Sequence, residues 1–306
     1  MPSVWLNGNF VDEASASLPL RDTGLLHGAG VFTTMRADGG RVFRLARHLV
    51  RLRESCAALS IPIMLDDAEL VHAVSELLAR NELTDARLRL TVTRGSAAVD
   101  PIHGAALEPN VFLTAARLEA YPAEFYERGM TVRLVDEQKL NPYDVTAGHK
   151  MLNYFSRLHA LREAGRLGAG EALWFDVHHE LVSGSISNVF VVKDGELFTP
   201  PTTSELRESP ASDSAPQARS CVLPGVTRQA VIELAREEKL DVRLSGLDVR
   251  ALLGADEVFV TNSIMRVMPV CRIERKTVGA DKPGPVTQRL SAMLEDLIKR
   301  ERERNE

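Results

Sequence analysis

Apolar residues recur along this chain with two periods, and the switches between them mark out its elements. Val4-Trp5-Leu6 and Asn9-Phe10-Val11 flank Asn7-Gly8, a strong hairpin signal, so the chain begins inside a sheet. Val31–Arg36 alternates as a strand. Leu45–Leu59 and Asp67–Asn81 carry apolar residues at helical spacing, which predicts two helices. Ala86–Thr93 then alternates, with Arg87, Arg89 and Thr91 on one face and Leu88, Leu90 and Val92 on the other. Val111–Ala115 is a further strand, residues 119–127 read as a linker, and Met130–Leu134 opens a second apolar series. Leu152, Phe155, Leu158 and Leu161 recur at helical spacing as far as Gly165, a natural C-terminal cap. Glu171–Val177, Leu181-Val182 and Val189–Val192 read as strands, Val231–Glu238 as a helix, Asp256–Thr261 as a buried strand and Gln288–Arg304 as a terminal helix. The pattern predicts a smaller domain over residues 1–120 and a larger one over 121–306. Residues 202–220, rich in Ser, Pro, Glu and Ala, have too little apolar surface to order themselves and read as a flexible loop.

Composition narrows the class of partner. The net charge of −5, with no basic stripe carrying interleaved aromatics, gives no electrostatic reason to expect nucleic acid and favours small-molecule ligands. Cys56, Cys221 and Cys271 are odd in number and form no CxxC pair, which suits reduced thiols in a cytoplasmic protein better than a disulfide framework or a zinc site. The first ten residues lack the charged and apolar regions of a signal peptide, and no apolar run approaches bilayer length.

Several residues carry candidate chemistry. Lys150 precedes the helical run that ends at Gly165, at a helix entrance, and the compact polar loop Ser183–Asn188 lies downstream. A lysine amine becomes a nucleophile where desolvation or a nearby cation lowers its pKa. The glycine-rich stretch Asp22–Gly30 precedes a strand and lacks GxGxxG spacing, which excludes a dinucleotide-binding turn. Phe32, Thr34 and Arg36 alternate onto one strand face, and Gly225-Val226-Thr227 opens a helix whose N–H groups suit a phosphate. Asp176, His178, His179 and Glu180 sit at a turn between strands and read as a polar hairpin tip, with no metal implied.

Taken in order, Lys150-x-x-Asn153-Tyr154, Ser187-Asn188-Val189-Phe190, Thr199-Pro200-Pro201, Leu223-Pro224-Gly225-Val226-Thr227-Arg228 and Thr261-Asn262-Ser263 resemble the class IV aminotransferases. The resemblance runs from about Trp5 to about Leu297. It implies an α+β chain of fold type IV, with a small α/β domain before a larger pseudo-barrel domain, and a homodimer that uses pyridoxal 5'-phosphate. By that resemblance Lys150 carries the cofactor and moves the substrate proton. Arg51, in His48-Leu49-Val50-Arg51-Leu52, holds the phosphate together with Val226, Thr227, Asn262 and Ser263. Tyr154, Ser183 and Asn188 complete the cofactor's surroundings, and Phe32, Thr34, Arg36 and Arg89 line the substrate side, with Arg89 a carboxylate partner. Residues 202–220 then stand as an insertion where relatives have a short link.

The chain departs from the family at three places. Relatives carry Phe-Glu-Thr where this sequence has Phe32-Thr33-Thr34, and D-amino acid enzymes carry an Arg-x-His trap where it has Val99-Asp100-Pro101, with His103 beyond. The family glutamate that faces the pyridine nitrogen is replaced by Ser183. The resemblance therefore implies an aminotransferase acting on a small, possibly branched-chain, amino acid and a 2-oxo acid. Its alternatives are a lyase of the aminodeoxychorismate type, releasing pyruvate, and a catalytically silent relative.

Overall fold

A computed structural model describes residues 1–63, 66–96, 108–208 and 219–304. The chain divides into two compact units. The first comprises Met1–Glu119 together with His149–Tyr154 and the C-terminal end from Glu301; the second comprises Ala120–Gly148 and Phe155–Arg300. The sites read at Val99–Pro101 and His103 lie outside the described residues.

In the first unit, strands β1 (Ser3–Leu6), β2 (Asn9–Asp12), β3 (Gly30–Asp38), β4 (Arg41–Val42), β5 (Ala86–Thr93) and β6 (Val111–Arg117) form a sheet in the order β2-β1-β6-β5-β3-β4. All its pairings are antiparallel. Alternation sends Val31, Met35 and Ala37 of β3 and Leu88, Leu90 and Val92 of β5 into one core. Helices α2 (Leu45–Ala58) and α3 (Asp67–Arg80) cover that core with Leu49, Leu52, Leu70, Val74 and Leu77. The other face carries Phe32, Thr34 and Arg36, paired in register with Thr91, Arg89 and Arg87.

The short helix α1 (Thr23–His27) is held from its cap. The buried Asp22 carboxylate accepts from Gly24 N (2.7 Å), Leu25 N (3.3 Å), Thr93 Oγ1 (2.6 Å) and Asn110 Nδ2 (2.6 Å). One side chain thus ties the glycine-rich turn to β5 and to the start of β6. Those glycines admit the lysine segment. A Cβ at Gly30 would lie 2.6 Å from Leu152 Cδ1, and Gly28, at φ +66°, packs directly on Asn153.

In the second unit, α4 (Ala123–Arg128) precedes β7 (Met130–Leu134), and α5 (Phe155–Arg166) precedes β8 (Glu171–Phe175). β9 (Leu181–Gly184), β10 (Asn188–Lys193), β11 (Glu196–Thr199), α6 (Thr203–Glu208), α7 (Val226–Glu237), β12 (Val242–Leu244), α8 (Val249–Leu253), β13 (Glu257–Asn262), β14 (Arg266–Ile273), β15 (Lys276–Thr277) and α9 (Pro285–Arg304) follow. The strands form one sheet in the order β12-β11-β10-β13-β14-β7-β8-β9, with β15 added to β14. Val132, Leu173, Val189, Val191, Val258, Val260 and Val270 fill its core, as the near-continuous apolar runs predict. Among the described residues no helix is long and apolar enough to cross a membrane.

Two expectations need correction. Helix α5 starts at Phe155, beyond Leu152, so Lys150 lies in the segment before it, and of the apolar residues at helical spacing Phe155 and Leu158 are 79% and 52% exposed. The small residues Ala160 and Ala164 pack inward instead, against Ala169 and Ala172, because only short side chains allow the helix this close to β8. The 202–220 run is not without order throughout. Residues 203–208 form α6, where Glu205 takes the buried Arg228 guanidinium in a two-point ion pair (2.9 and 2.8 Å), a charge-assisted contact that composition does not reveal. Ser220 N donates to Thr203 Oγ1 at 3.0 Å and closes the base of the run; residues 209–218 lie outside the described residues.

Asp22→Ala should strand four donors in or near the core. Loss of a charged acceptor predicts about 3 kcal/mol of destabilisation, read as a lower urea midpoint at unchanged slope. A midpoint that does not move would contradict the role given to Asp22.

Candidate active site

Lys150 is positioned by backbone bonds on the edge of β3. Phe32 N donates to Lys150 O and Leu152 N to Gly30 O, each at 2.9 Å, and Val31 bridges Met151. The lysine's Nζ lies 4.7 Å from the Phe32 ring centroid and 4.9 Å from that of Tyr154. These two rings meet edge to face, 5.6 Å apart at 83°, an arrangement the aromatic quadrupole favours. Arg89 covers the same Phe32 ring, with Cζ 3.6 Å from the centroid, and its Nε donates to Thr91 Oγ1 at 3.3 Å. Burial holds the Arg89 pKa below its ordinary value, with the neighbouring Arg87 charge acting in the same direction. Thr34 stands opposite Arg89 in the register, and Arg36 is ion-paired with Asp38 at 2.9 Å.

On the other face of β3, Thr33 Oγ1 accepts from Arg51 Nη2 at 2.9 Å and lies 2.9 Å from His48 Nδ1. Burial lowers the Arg51 pKa to about 10, which leaves it charged at neutral pH, and Tyr154 acts against the shift. His48 is held well below its ordinary value by burial, then by the Arg51 and Lys150 charges, so its imidazole is neutral. His149 Nδ1 lies 3.0 Å from Ser55 Oγ. Lys150, Tyr154, Phe32, Thr34, Arg89 and Arg51 are therefore assembled within the first unit.

The second unit gathers the remaining candidates around one buried carboxylate. Glu171, at the start of β8, accepts from Ala172 N (2.9 Å), Ser185 N (2.9 Å), Ile186 N (3.2 Å) and Ser187 Oγ (2.7 Å). Burial pushes its pKa up while these four donors pull it back. The turn between β9 and β10 is thereby fixed, and a Cβ on Gly184 would stand 2.6 Å from Glu171 Oε2. Ser183, on β9 opposite Trp174, is buried and accepts from Arg157 Nη1 at 3.2 Å.

Asn188 opens β10 and pairs with Thr261 of β13. Its Nδ2 donates to Leu223 O at 2.9 Å, and its Oδ1 packs against Gly225, where a side chain would not fit. Asn188 thus places the start of α7. Val226, Thr227 and Arg228 precede the first helical acceptance, Gln229 N to Gly225 O, so their N–H groups head the helix. Asn262 uses its side chain locally: Oδ1 accepts from Ile264 N and Met265 N, and Nδ2 donates to Ile186 O. Only the backbone there remains for a ligand, together with the Ser263 hydroxyl. Among the described residues the buried Thr261 Oγ1 has no hydrogen-bond partner, the kind of orphan that a bound polar group satisfies.

Sequence reasoning passed over Asp22, Thr33 as a contact, Glu171 and Arg157. A legible signal existed for Glu171, a charge leading the otherwise apolar Ala172-Leu173-Trp174-Phe175. Asp176, at the expected hairpin tip, accepts from His178 N (2.9 Å) and Glu180 N (3.0 Å).

The family model described as amino-transferase class IV matches residues 30–209 and 214–273. A putative branched-chain-amino-acid aminotransferase of Methanocaldococcus jannaschii is 35% identical over 298 residues, covering 96% of each chain. The crystal structure of the Escherichia coli branched-chain amino acid aminotransferase superposes with a TM-score of 0.86 at 30% identity, covering 97% of this chain and 94% of that one. The 4-amino-4-deoxychorismate lyase from Pseudomonas aeruginosa superposes with a TM-score of 0.79, also at 30% identity, covering 96% and 98%.

The neutral His48 sets a pH dependence. Its folded pKa is depressed, so the stability it contributes is present above the unfolded pKa of about 6.5 and is lost as pH falls through the folded value. His48→Gln should flatten the decline of Tm below about pH 6.5. Equal Tm slopes for the two proteins between neutral and mildly acidic pH would contradict a neutral buried imidazole.

Proposed function

The chain belongs to the class IV aminotransferase family, and on that premise we propose that it moves an amino group between a small amino acid, branched-chain types included, and a 2-oxo acid, with pyridoxal 5'-phosphate held on Lys150. The observation that carries this reading is the array around Phe32. An amine at 4.7 Å and a guanidinium at 3.6 Å address one buried ring, and the Arg89 Nε donates to the neutral Thr91 hydroxyl. That arrangement suits a substrate with an amino-bearing carbon at Lys150 and a carboxylate at Arg89.

The residues also fit the cofactor. Arg51 is a buried guanidinium whose fork suits two phosphate oxygens. Val226 and Thr227 head α7, and the orphaned Thr261 Oγ1 adjoins Asn262 and Ser263. Bound there, the cofactor supplies the electron sink that protein side chains lack. The protein's part is placement: by the family resemblance Arg51 of the first unit and Thr227, Ser263 and the backbone at Val226 and Asn262 of the second would hold the phosphate, Tyr154 and Phe32 would shield the lysine amine, and Lys150 would remove and return the proton at the substrate Cα. Elimination releasing pyruvate is the second reading. It is favoured by Ser183, since an uncharged partner weakens the electron sink, and elimination tolerates that better than transamination.

The protein is further assigned as a homodimer. Support comes from α5, where Phe155 and Leu158 remain 79% and 52% exposed one turn apart, a costly surface for a monomer.

Borohydride reduction of the purified holoprotein followed by peptide mapping should place the label on Lys150; a label on another lysine, or none, overturns the assignment. Pyruvate release assayed beside amino transfer from several donors separates the two activities, and silence in both would identify a cofactor-binding relative without turnover. Sedimentation should give twice the chain mass, and Phe155→Asp with Leu158→Asp should shift it toward the monomer. A fully active monomer would contradict the assembly.

A further inference from the structure

The first unit buries a line of polar side chains inside its apolar core. His48, Arg51 and Ser55 are all buried and stand three and four residues apart on α2, which puts them on one stripe of that helix beside Leu52 and Cys56. The stripe meets β3 at Thr33, fully buried between the inward-facing Val31 and Met35. It meets the lysine segment where Ser55 Oγ lies 3.0 Å from Nδ1 of His149. Thr33 Oγ1 has one proton to give and two lone pairs to offer. Arg51 Nη2, which can only donate, takes one of those lone pairs at 2.9 Å. Among the described residues the one other group bonded to that oxygen is His48 Nδ1, also at 2.9 Å. If Nδ1 carried a proton, the Thr33 hydroxyl would receive two donors and find no acceptor for its own hydrogen among those residues, a cost that buried groups avoid. A bare Nδ1 settles both contacts at once.

We propose that His48 and Thr33 are positioning residues for Arg51: the bare Nδ1 takes the Thr33 proton, which turns a lone pair of that hydroxyl toward Nη2 and holds the guanidinium in the orientation it presents to a phosphate. The inference rests on the reading above that Arg51 holds the cofactor phosphate. Arg51 has other contacts as well, so Thr33 contributes to its orientation and is not its only support. The trio belongs to the lysine site, since His48 feels the Lys150 charge as well as that of Arg51, and Arg51 feels Tyr154. Burial and those two charges disfavour a second proton on His48, which keeps Nδ1 an acceptor. Thr33 stands where the family resemblance implies a glutamate, and that exchange is what makes the imidazole tautomer matter. A carboxylate would accept from Arg51 and from a protonated Nδ1 alike, whereas a hydroxyl accepts from Arg51 and must still place its own proton. Thr33 thus requires of His48 what a glutamate would not.

Two measurements test this. The first is nitrogen-15 spectroscopy of the full chain labelled at its histidines, with the His48 signals identified by their absence from His48→Asn or His48→Gln. At neutral pH Nδ1 should give the unprotonated signal and Nε2 the protonated one; a protonated Nδ1 in the wild type overturns the proposal. The second compares the dissociation constants of pyridoxal phosphate and pyridoxal on the same apoprotein, two probes that differ only in the phosphate. Thr33→Val, which keeps the shape and removes the hydroxyl, should weaken pyridoxal phosphate about tenfold and leave pyridoxal unchanged. His48→Phe should do the same, and His48→Asn, whose amide oxygen can stand in for Nδ1, should recover most of the loss. Because the two residues act in series, Thr33→Val combined with His48→Phe should be no worse than Thr33→Val alone. Equal weakening of both probes, as a merely structural role would give, overturns the proposal, and so does no weakening of either. If Thr33→Val does not fold, Thr33→Ala carries the same outcomes. Arg51→Gln separates the two levels of the argument. If it leaves the wild-type preference for pyridoxal phosphate over pyridoxal intact, the phosphate reading of Arg51 has failed; a preference lost with Arg51→Gln and kept with Thr33→Val is failure of this inference alone.

Discussion

The buried Glu171 carboxylate is the contact on which most of the second unit's candidate site depends. A charge removed from water is tolerated when its oxygens are taken up by donors, and here four of them come from the next residue and from the turn at 185–187. Fixing that turn fixes both strands that leave it. β9 then presents Ser183, and β10 starts at Asn188, which holds Leu223 and so the first turn of α7. The same strand pairing sets Asn188 beside Thr261. The first unit follows the same rule with Asp22, whose donors tie the glycine-rich turn to β5 and to the residue before β6. In both units a saturated carboxylate does locally what neither a helix nor a ladder can, which is to hold an irregular turn rigidly enough to carry a site.

That mode of construction explains what was legible in the sequence. Lys150, Arg51 and the Gly225-Val226-Thr227 turn could be singled out as candidates through the family resemblance, and the structure places Lys150 beside β3 and Val226 at the head of α7. Strands β3, β5, β8, β10 and β13 could be read because their cores impose a period or an unbroken apolar run. Glu171 and Asp22 could not be assigned roles, since their donors lie up to 16 and 88 residues away and no local pattern records such pairings. Helix α5 shows the converse failure. Its apolar spacing is real, but Phe155 and Leu158 face outward and two alanines face in, so periodicity identified the helix and not its buried side. Residues 203–208 misled for a third reason: a single two-point ion pair to Arg228 orders a segment that composition alone would leave loose.

The two glutamates that the family resemblance leads one to expect, at Thr33 and at Ser183, are both replaced by hydroxyl residues, and each hydroxyl accepts a hydrogen bond from an arginine. Arg51 donates to Thr33 Oγ1 at 2.9 Å, and Arg157 to Ser183 Oγ at 3.2 Å. A carboxylate in either place would form an ion pair with the guanidinium, whereas a hydroxyl orients the guanidinium without bringing a charge of its own. At Thr33 the consequence is felt by His48, which is held neutral partly by the Arg51 charge. At Ser183 the Arg157 guanidinium also donates to Gly184 O at 2.9 Å, which ties the end of β9 to α5. Each exchange removes a negative charge from beside an arginine while keeping the hydrogen bond. Charge is therefore changed without giving up geometry: the arginine keeps an acceptor at hydrogen-bonding distance, and the acceptor is neutral.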